Sequence, residues 1–142
     1  MTHVERTITV SPGVEEVFTY FADFTNTEEW DPGTVRTTRL SGDGGVGTTY
    51  KNVSEFLGRE TELTYETITY EPSKELKLRG TNKTATTVDH LTFKPSGAGT
   101  EIHYRADFEF HGAAQYVAPI FAPLAMRRLA DKTAAQIKRT LG

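Results

Sequence analysis

Threonine is distributed unevenly along this 142-residue chain. Of its 23 threonines, 21 precede residue 101. Threonine is β-branched and favours strands over helices, so the skew predicts an antiparallel sheet across that part of the chain. Turn residues divide the region after residue 33 into six candidate strands, which are 34–40, 47–57, 59–71, 75–80, 84–94 and 100–111.

The last candidate strand has the clearest alternation of apolar and polar residues. Ile102, Tyr104 and Phe108 fall on one face, whereas His103 and Arg105 fall on the other. One face of the sheet is therefore predicted to contact a core, and the other to contact water.

A strand near the middle of the chain has an interrupted alternation. Leu63 and Tyr65 share one face, whereas Ile68 and Tyr70 share the opposite face. An extra residue reverses the faces of a strand, so we expect a β-bulge near residues 66–67.

Two short helices are predicted between the first and second strands. Ser11 follows a strand at residues 4–10 and is a suitable N-cap for a helix that buries two phenylalanines. Thr25 and Glu28 have the spacing of a capping box for a second, very short helix that carries Trp30.

A long helix is predicted to close the chain. Residues 113–126 contain no charged side chain, and basic residues follow them, as suits the C-terminal end of a helix dipole. Val117, Phe121 and Leu124 share one helical face, which we expect to form the floor of a cavity between helix and sheet. The uncharged segment is shorter than the roughly 20 apolar residues that a membrane span needs.

Composition excludes several classes of function. The net charge is −3, so the chain offers no broad basic surface to nucleic acid or anionic lipid. The sequence has no cysteine, which excludes disulfides, thiolate catalysis and cysteine-based zinc sites. The first residues lack an apolar signal region, so we expect a cytoplasmic protein. The length predicts a single domain over residues 1–142.

Several turn and packing segments occur in a characteristic order: 11–18, Asp23, 29–32, 45–50, 56–59, 69–72, 99–102 and 123–129. In this order the chain resembles the polyketide cyclase/dehydrase-like proteins of the START-like superfamily, also called SRPBCC or helix-grip proteins. The resemblance implies an α+β fold in which a curved antiparallel sheet wraps around a long C-terminal helix, with two short helices between the first and second strands. It also implies an apolar cavity, because family members bind or transform lipids, polyketides, sterols and hormones.

Three motifs that sometimes indicate chemistry are better explained structurally. Residues 42–47 fit G-x-G-x-x-G, but a dinucleotide site needs a helix directly afterwards, and strand-like residues follow here. His103, Asp107 and His111 share a strand face, yet residues four apart on a strand are about 13 Å apart, too far to chelate one ion. No G-x-S-x-G nucleophile motif is present. We expect neither a metal nor a cofactor.

Asp89 is the carboxylate most suggestive of chemistry. It alternates with Leu91 and Phe93, which places it on their face of the strand. A carboxyl group that faces an apolar cavity has a raised pKa unless it is paired, and a raised pKa suits a general acid. Arg6 is a candidate partner. The alternatives are that Asp89 lies in water at the open end of the sheet, or that a bulge turns it outward.

Tyrosines are the second candidate group. Tyr50, Tyr65 and Tyr104 fall on inner faces, where a phenol either polarises a ligand carbonyl in a pocket or fills the core. If the protein is an enzyme, Asp89 and Tyr104 are the candidate catalytic residues. Trp30 has two interpretations, one as a guard of the cavity mouth and one as a packing residue that fastens the second helix to the sheet.

The sequence thus predicts a protein that binds a hydrophobic small molecule, lipid- or polyketide-like, between the sheet and the closing helix. One alternative is a polyketide cyclase or dehydratase with acid/base residues in that cavity, and another is a module that binds a protein partner. We expect no nucleic acid and no membrane span, and both monomer and homodimer stay open. The candidate ligand-binding residues are Trp30, Tyr50, Tyr65, Leu78, Asp89, Leu91, Tyr104, Phe108, Val117, Phe121 and Leu124.

Overall fold

A computed structural model describes the backbone of residues 2–56 and 58–142 and, within them, the side chains other than those of residues 56 and 117–122. A 3-10 turn at Phe24–Asn26 separates the two short helices. The elements are β1 (Thr2–Val10), α1 (Val14–Ala22), α2 (Thr27–Trp30), β2 (Thr34–Ser41), β3 (Thr49–Phe56), β4 (Arg59–Glu71), β5 (Glu75–Thr81), β6 (Ala85–Ser96), β7 (Gly99–Phe110) and α3 (Ala114–Leu141).

The seven strands of the described chain form one antiparallel sheet in the order β1-β7-β6-β5-β4-β3-β2. Strands β2 to β6 each pair with the following strand, whereas β1 pairs with β7, so α1 and α2 connect the two edges of the sheet. The curved sheet wraps around α3, which confirms the predicted α+β helix-grip fold. Each of the six strands predicted after residue 33 is present, with ends that differ by no more than two residues.

The ladder between β4 and β5 contains the expected irregularity. Thr67 pairs with Leu78 and Thr69 pairs with Lys77, so Ile68 falls between two paired positions. The bulge therefore lies just beyond the predicted position. Because the bulge comes this late, the inward face of β4 continues as far as Thr67, which is fully buried.

The helix caps differ from the prediction. Gly13 is the N-cap of α1 and makes no side-chain bond there, so Ser11 lies two residues too early to cap this helix. The Ser11 hydroxyl instead donates to the carbonyl of Gly142 at 2.8 Å. Asp23 caps the 3-10 turn, because its Oδ1 accepts from the N–H of Thr25 at 3.1 Å. Thr25 is thus inside the turn and does not act as a cap.

An aromatic cluster fills the space between the short helices and the sheet. Phe21 is fully buried and contacts Trp30 edge-to-face, with ring centroids 5.1 Å apart, and Phe93 at 5.8 Å. Phe24 packs on Tyr65 with ring centroids 4.8 Å apart. Each aromatic pair of this kind contributes about 0.5–1.5 kcal/mol beyond the burial of its surface. The cluster fixes the turn after α2 against the sheet.

The long helix α3 packs against β1 and α2. Met126, Ala130, Thr133 and Ile137 are buried and recur at helical spacing, so they define its inward face. Leu124, which we expected on that face, is 58% exposed. It precedes Met126 by two residues, which is about 200° around the helix, so it points away from the sheet. No described helix is both long and apolar enough to span a membrane.

Candidate functional site

A cavity of about 160 Å³ lies between the inner face of the sheet and α3. Its walls combine aromatic and aliphatic side chains with hydroxyl and carboxyl groups. The described lining residues come from the turn after α2, from β3, β4, β6 and β7, from the β5–β6 connection and from α3. They are Asp31, Gly33, Ser54, Glu55, Thr61, Leu63, Tyr65, Asn82, Thr84, Ala85, Thr87, Asp89, Tyr104, Phe108, Phe110, Leu129 and Thr133.

A glycine on the neighbouring strand makes room for the ring of Tyr65. Gly80 pairs with Tyr65 across the β4–β5 ladder, and a Cβ atom at position 80 would lie 2.7 Å from the tyrosine ring. The Tyr65 hydroxyl accepts a hydrogen bond from Thr87 Oγ1 at 3.2 Å. Burial, and then the charge of Asp89, raise the pKa of Tyr65, so its phenol stays protonated.

Asp89 and Tyr104 form the polar centre of the cavity. The Tyr104 hydroxyl donates to Asp89 Oδ1 at 3.3 Å, and both residues are at least nine-tenths buried. Burial, and then the negative charge of Asp31, raise the pKa of Asp89 to about 7, although the hydrogen bond from Tyr104 acts in the opposite direction. Near neutral pH, Asp89 therefore populates both its acid and its carboxylate form.

The pKa of Tyr104 is also raised, first by burial and then by the charges of Asp89 and Asp31. The phenol therefore stays protonated and acts as a hydrogen-bond donor. Its ring packs edge-to-face on Trp30, with centroids 6.1 Å apart. This contact limits the positions that the Tyr104 ring can take.

Asp31 is a cavity residue that the sequence analysis did not identify. Its Oδ1 accepts from the N–H of Gly33 at 3.0 Å, and its Oδ2 accepts from the Thr34 hydroxyl at 2.9 Å. Burial raises its pKa, whereas these two hydrogen bonds favour its ionised form. The Asp-Pro-Gly sequence was a signal for a turn only, and side-chain bonds of this type are common in turns.

The structure brings four of the predicted ligand-binding residues together. Tyr65, Asp89, Tyr104 and Phe108 all line the cavity. They come from β4, β6 and β7, and strand alternation had placed each of them on an inner face.

Other predicted residues lie in the core and not in the cavity lining. Trp30, Tyr50, Leu78 and Leu91 are each at most 1% exposed. The short helices cover this part of the inner face, and Phe24 of the 3-10 turn contacts Tyr50 with ring centroids 5.6 Å apart. Trp30 packs against Phe21 and Tyr104, which favours the packing role over the role of a guard at the cavity mouth.

The predictions for α3 have a different outcome. The side chains of Val117 and Phe121 lie outside the described residues. Leu124 is exposed and is absent from the described lining, because it lies on the outward face of α3. Leu129 and Thr133 are the described residues of α3 that line the cavity instead.

Arg6 does not pair with Asp89. Its Nε donates to Asp131 Oδ1 on α3 at 2.9 Å. The helix lies against β1 and therefore offers Arg6 a closer carboxylate than the one on β6.

The histidines and the glycine-rich loop have structural roles. His103 Nε2 lies 3.2 Å from a carboxylate oxygen of Glu5, and His111 Nε2 lies 2.8 Å from the Thr86 hydroxyl. Residues 42–47 connect β2 to β3, and the strand that follows them confirms the interpretation as a hairpin. Among the residues that the structure describes, no group of three or more potential ligand side chains is placed to hold a metal ion.

A comparison with protein families identifies one match, and it covers residues 1–142. The matching family is described as polyketide cyclase/dehydrase and lipid transport. The chain belongs to this family. A search of curated protein sequences gave no significant match.

Solved structures similar to this member of the polyketide cyclase/dehydrase and lipid transport family share its fold at low sequence identity. The Zhui aromatase/cyclase from Streptomyces sp. R1128 is 16% identical, with a TM-score of 0.83 over 99% of this chain and 93% of its own. A START superfamily protein from Mycobacterium smegmatis is 14% identical, with a TM-score of 0.80 over 98% and 96%. Major latex-like protein 151 from Panax ginseng is 9% identical, with a TM-score of 0.75 over 99% and 97%.

Proposed function

We propose that this protein binds a hydrophobic small molecule in the cavity between its sheet and α3. The cavity itself carries the proposal, because its walls combine aromatic side chains with polar groups that include Asp31, Asp89 and Tyr104. Ligand sites in proteins commonly combine apolar walls with a few polar groups that fix orientation. The family, which includes cyclases and lipid transport proteins, supports the same class of ligand.

The volume of the cavity sets the size of the ligand. At about 160 Å³ it is close to an engineered protein cavity of about 150 Å³ that binds benzene. A molecule with one substituted ring fits this volume, whereas a longer chain needs the cavity to open. The polar substituent of such a ligand would face Asp89 and Tyr104.

Filling the cavity should abolish binding. Ala85 lines it from β6, so Ala85→Phe places a ring in the ligand volume. We expect benzyl alcohol to bind the wild-type protein and not this variant, as measured by titration calorimetry. Val88→Phe is the matched control, because Val88 lies on the same strand but lines a depression on the opposite face with His90 and Arg105. Equal binding by wild type and Ala85→Phe would place the ligand elsewhere.

A second candidate function is a cyclase or dehydratase reaction, and the hydrogen-bonded pair of Asp89 and Tyr104 in the cavity favours it. Loss of water from a β-hydroxy ketone needs an acid to protonate the leaving hydroxyl and a base to remove a proton from the carbon beside the carbonyl. Asp89, with a pKa of about 7, supplies the acid near neutral pH, and the carboxylate of Asp31 supplies the base. The hydroxyl of Tyr104 would donate a hydrogen bond and not transfer its proton.

This reaction can be followed with 4-hydroxy-4-phenylbutan-2-one, which loses water to give a conjugated enone that absorbs in the ultraviolet. If Asp89 is the acid, Asp89→Asn should lower the rate by about 100-fold or more, whereas binding of the substrate should change little. Asp43→Asn is the matched control, because Asp43 lies in the exposed β2–β3 loop. An unchanged rate in Asp89→Asn would remove Asp89 from the mechanism.

A further inference from the structure

The described lining of the cavity contains acidic residues but no basic ones. Asp31, Glu55 and Asp89 contribute carboxyl groups, and no lysine, arginine or histidine lines the cavity among the described residues. The side chains that the structure leaves undescribed, at residues 1, 56, 57 and 117–122, are all uncharged by sequence, so they add no basic side chain.

One oxygen of the Asp89 carboxyl group accepts no hydrogen bond from the described part of the chain. Its side chain is nine-tenths buried and lines the cavity, and its Oδ1 receives a hydrogen bond from Tyr104. Within the described part of the chain, no hydrogen bond reaches its Oδ2. This oxygen is open to the cavity and not sealed in the core, so a ligand that brings a donor to it forms a hydrogen bond that the described chain does not supply.

In the described part of the chain, no side chain of a neighbouring element donates a hydrogen bond to Asp89 Oδ2. Arg6 on β1 is engaged by Asp131 of α3, so it does not neutralise Asp89. One N–H of the Asn82 amide donates to the Glu62 carbonyl, and no described hydrogen bond joins this amide to Asp89. The other polar side chains of the described lining are the carboxyls of Asp31 and Glu55 and the hydroxyls of a serine, tyrosines and threonines, all of which can accept a hydrogen bond.

The walls add a second preference for positive charge. Tyr65, Tyr104, Phe108 and Phe110 all line the same cavity. Aromatic faces attract cations, and this attraction is strongest where water is excluded. An anionic ligand such as a fatty acid would meet like charges in the described lining, since the basic side chains of Arg128 and Lys132 line a neighbouring depression and not the cavity itself.

From this arrangement we infer that the preferred ligand is a small hydrophobic amine, whose ammonium group binds to Asp89 and Asp31 while its apolar part lies against the aromatic wall. The inference rests on the proposed function, because it names the chemical class of the ligand in the same cavity. A charged hydrogen bond between an ammonium and a carboxylate is stronger than one between neutral groups, so the amine should bind more tightly than a matching alcohol.

The affinity of an amine should depend on pH in a defined direction. An ammonium group favours the ionised form of Asp89, so binding releases a proton where Asp89 is partly protonated. Affinity for the amine therefore rises as the pH increases through about 7. Affinity for a neutral alcohol should stay nearly constant over the same interval.

Three probes of matched size test the inference: benzylamine, benzyl alcohol and benzoate, each titrated calorimetrically at about pH 8, above the pKa of Asp89. We expect benzylamine to bind about tenfold more tightly than benzyl alcohol, and benzoate to bind most weakly. Asp31→Asn and Asp89→Asn should each remove most of the preference for the amine. Asp43→Asn makes the same change of charge in an exposed loop and should retain the preference.

The outcomes separate the two proposals. If benzyl alcohol binds as tightly as benzylamine and Ala85→Phe blocks both, the amine preference is wrong and the cavity remains the binding site. If the amine preference persists in both aspartate variants, the carboxylates are not its cause and the inference is overturned. If none of the probes binds to the wild-type protein, the proposed function fails as well. Should either variant fold poorly, the pH dependence of benzylamine binding to the wild-type protein provides the same test.

Discussion

At the scale of single residues, the cavity depends on a position where a side chain is missing. Gly80 lies beneath the ring of Tyr65, and an added Cβ would also lie 2.9 Å from Thr87 Oγ1. We expect Gly80→Ala to displace the tyrosine ring and lower the free energy of unfolding by about 1–3 kcal/mol, as overpacking does elsewhere. Chemical denaturation measures this loss, and the variant should also bind benzyl alcohol more weakly.

Gly45→Ala is the control for this prediction. Gly45 lies in the β2–β3 loop, and the only described neighbour near its added Cβ is Asp43 Oδ1 at 3.4 Å. The free energy of unfolding of Gly45→Ala should stay within about 0.5 kcal/mol of the wild-type value. If Gly80→Ala is as stable as Gly45→Ala and binds benzyl alcohol normally, the proposed constraint on Tyr65 is wrong.

Alternation along strands predicted the inward residues of the site, because successive side chains in a strand point to opposite faces. That rule placed Tyr65, Asp89 and Tyr104 on the inner face. It does not apply to Asp31, which follows α2 in a turn, where the direction of a side chain depends on the hydrogen bonds of that turn. Strand alternation therefore could not predict Asp31, the residue whose negative charge helps to raise the pKa of Asp89.

At the scale of elements, the placement of Leu124 on the inward face of α3 was the main error. The uncharged segment 113–126 suggested that the helix is buried there, but lack of charge does not identify which face contacts the sheet. The observed inward face contains Ala130 and Thr133 as well as Met126, so it has little contrast in hydrophobicity with the other faces. The strands after residue 33 were easier to predict, since turn residues separate successive antiparallel strands.

The variants Met126→Ala and Leu124→Ala test the orientation of α3. Met126 is 1% exposed, so Met126→Ala should lower the free energy of unfolding by about 2–5 kcal/mol. Leu124→Ala removes an exposed side chain two residues away and should change it by less than about 0.5 kcal/mol. Denaturant titrations of both variants measure the difference. Equal losses, or a larger loss for Leu124→Ala, would contradict the observed rotation of the helix.

At the scale of the whole molecule, Asp89 couples stability to pH. Its pKa is about 7 in the folded protein, against about 3.9 in an unfolded chain. Between these values the folded state binds more protons than the unfolded state, so stability is highest at the acidic end of the interval and falls as the pH rises towards 7. Above about pH 7 the contribution of Asp89 is constant, because both states are then ionised.

The variant Asp89→Asn removes this contribution. We expect the wild-type protein to lose stability between about pH 5 and 7, at up to about 1.4 kcal/mol for each pH unit, and the variant to show a flatter profile. Urea denaturation at several pH values provides the comparison. Parallel profiles for the two proteins would mean that Asp89 has an ordinary pKa in the folded state.

The most direct test of the proposed function is a crystal structure of the protein with benzyl alcohol bound. We expect the ring of the alcohol to lie between Tyr104 and Phe108, with its hydroxyl within hydrogen-bond distance of the Asp89 carboxyl group. The same experiment on Ala85→Phe should show the cavity filled by the introduced ring. A wild-type complex in which the alcohol lies outside the cavity, while the cavity holds only the protein's own side chains, would contradict the account.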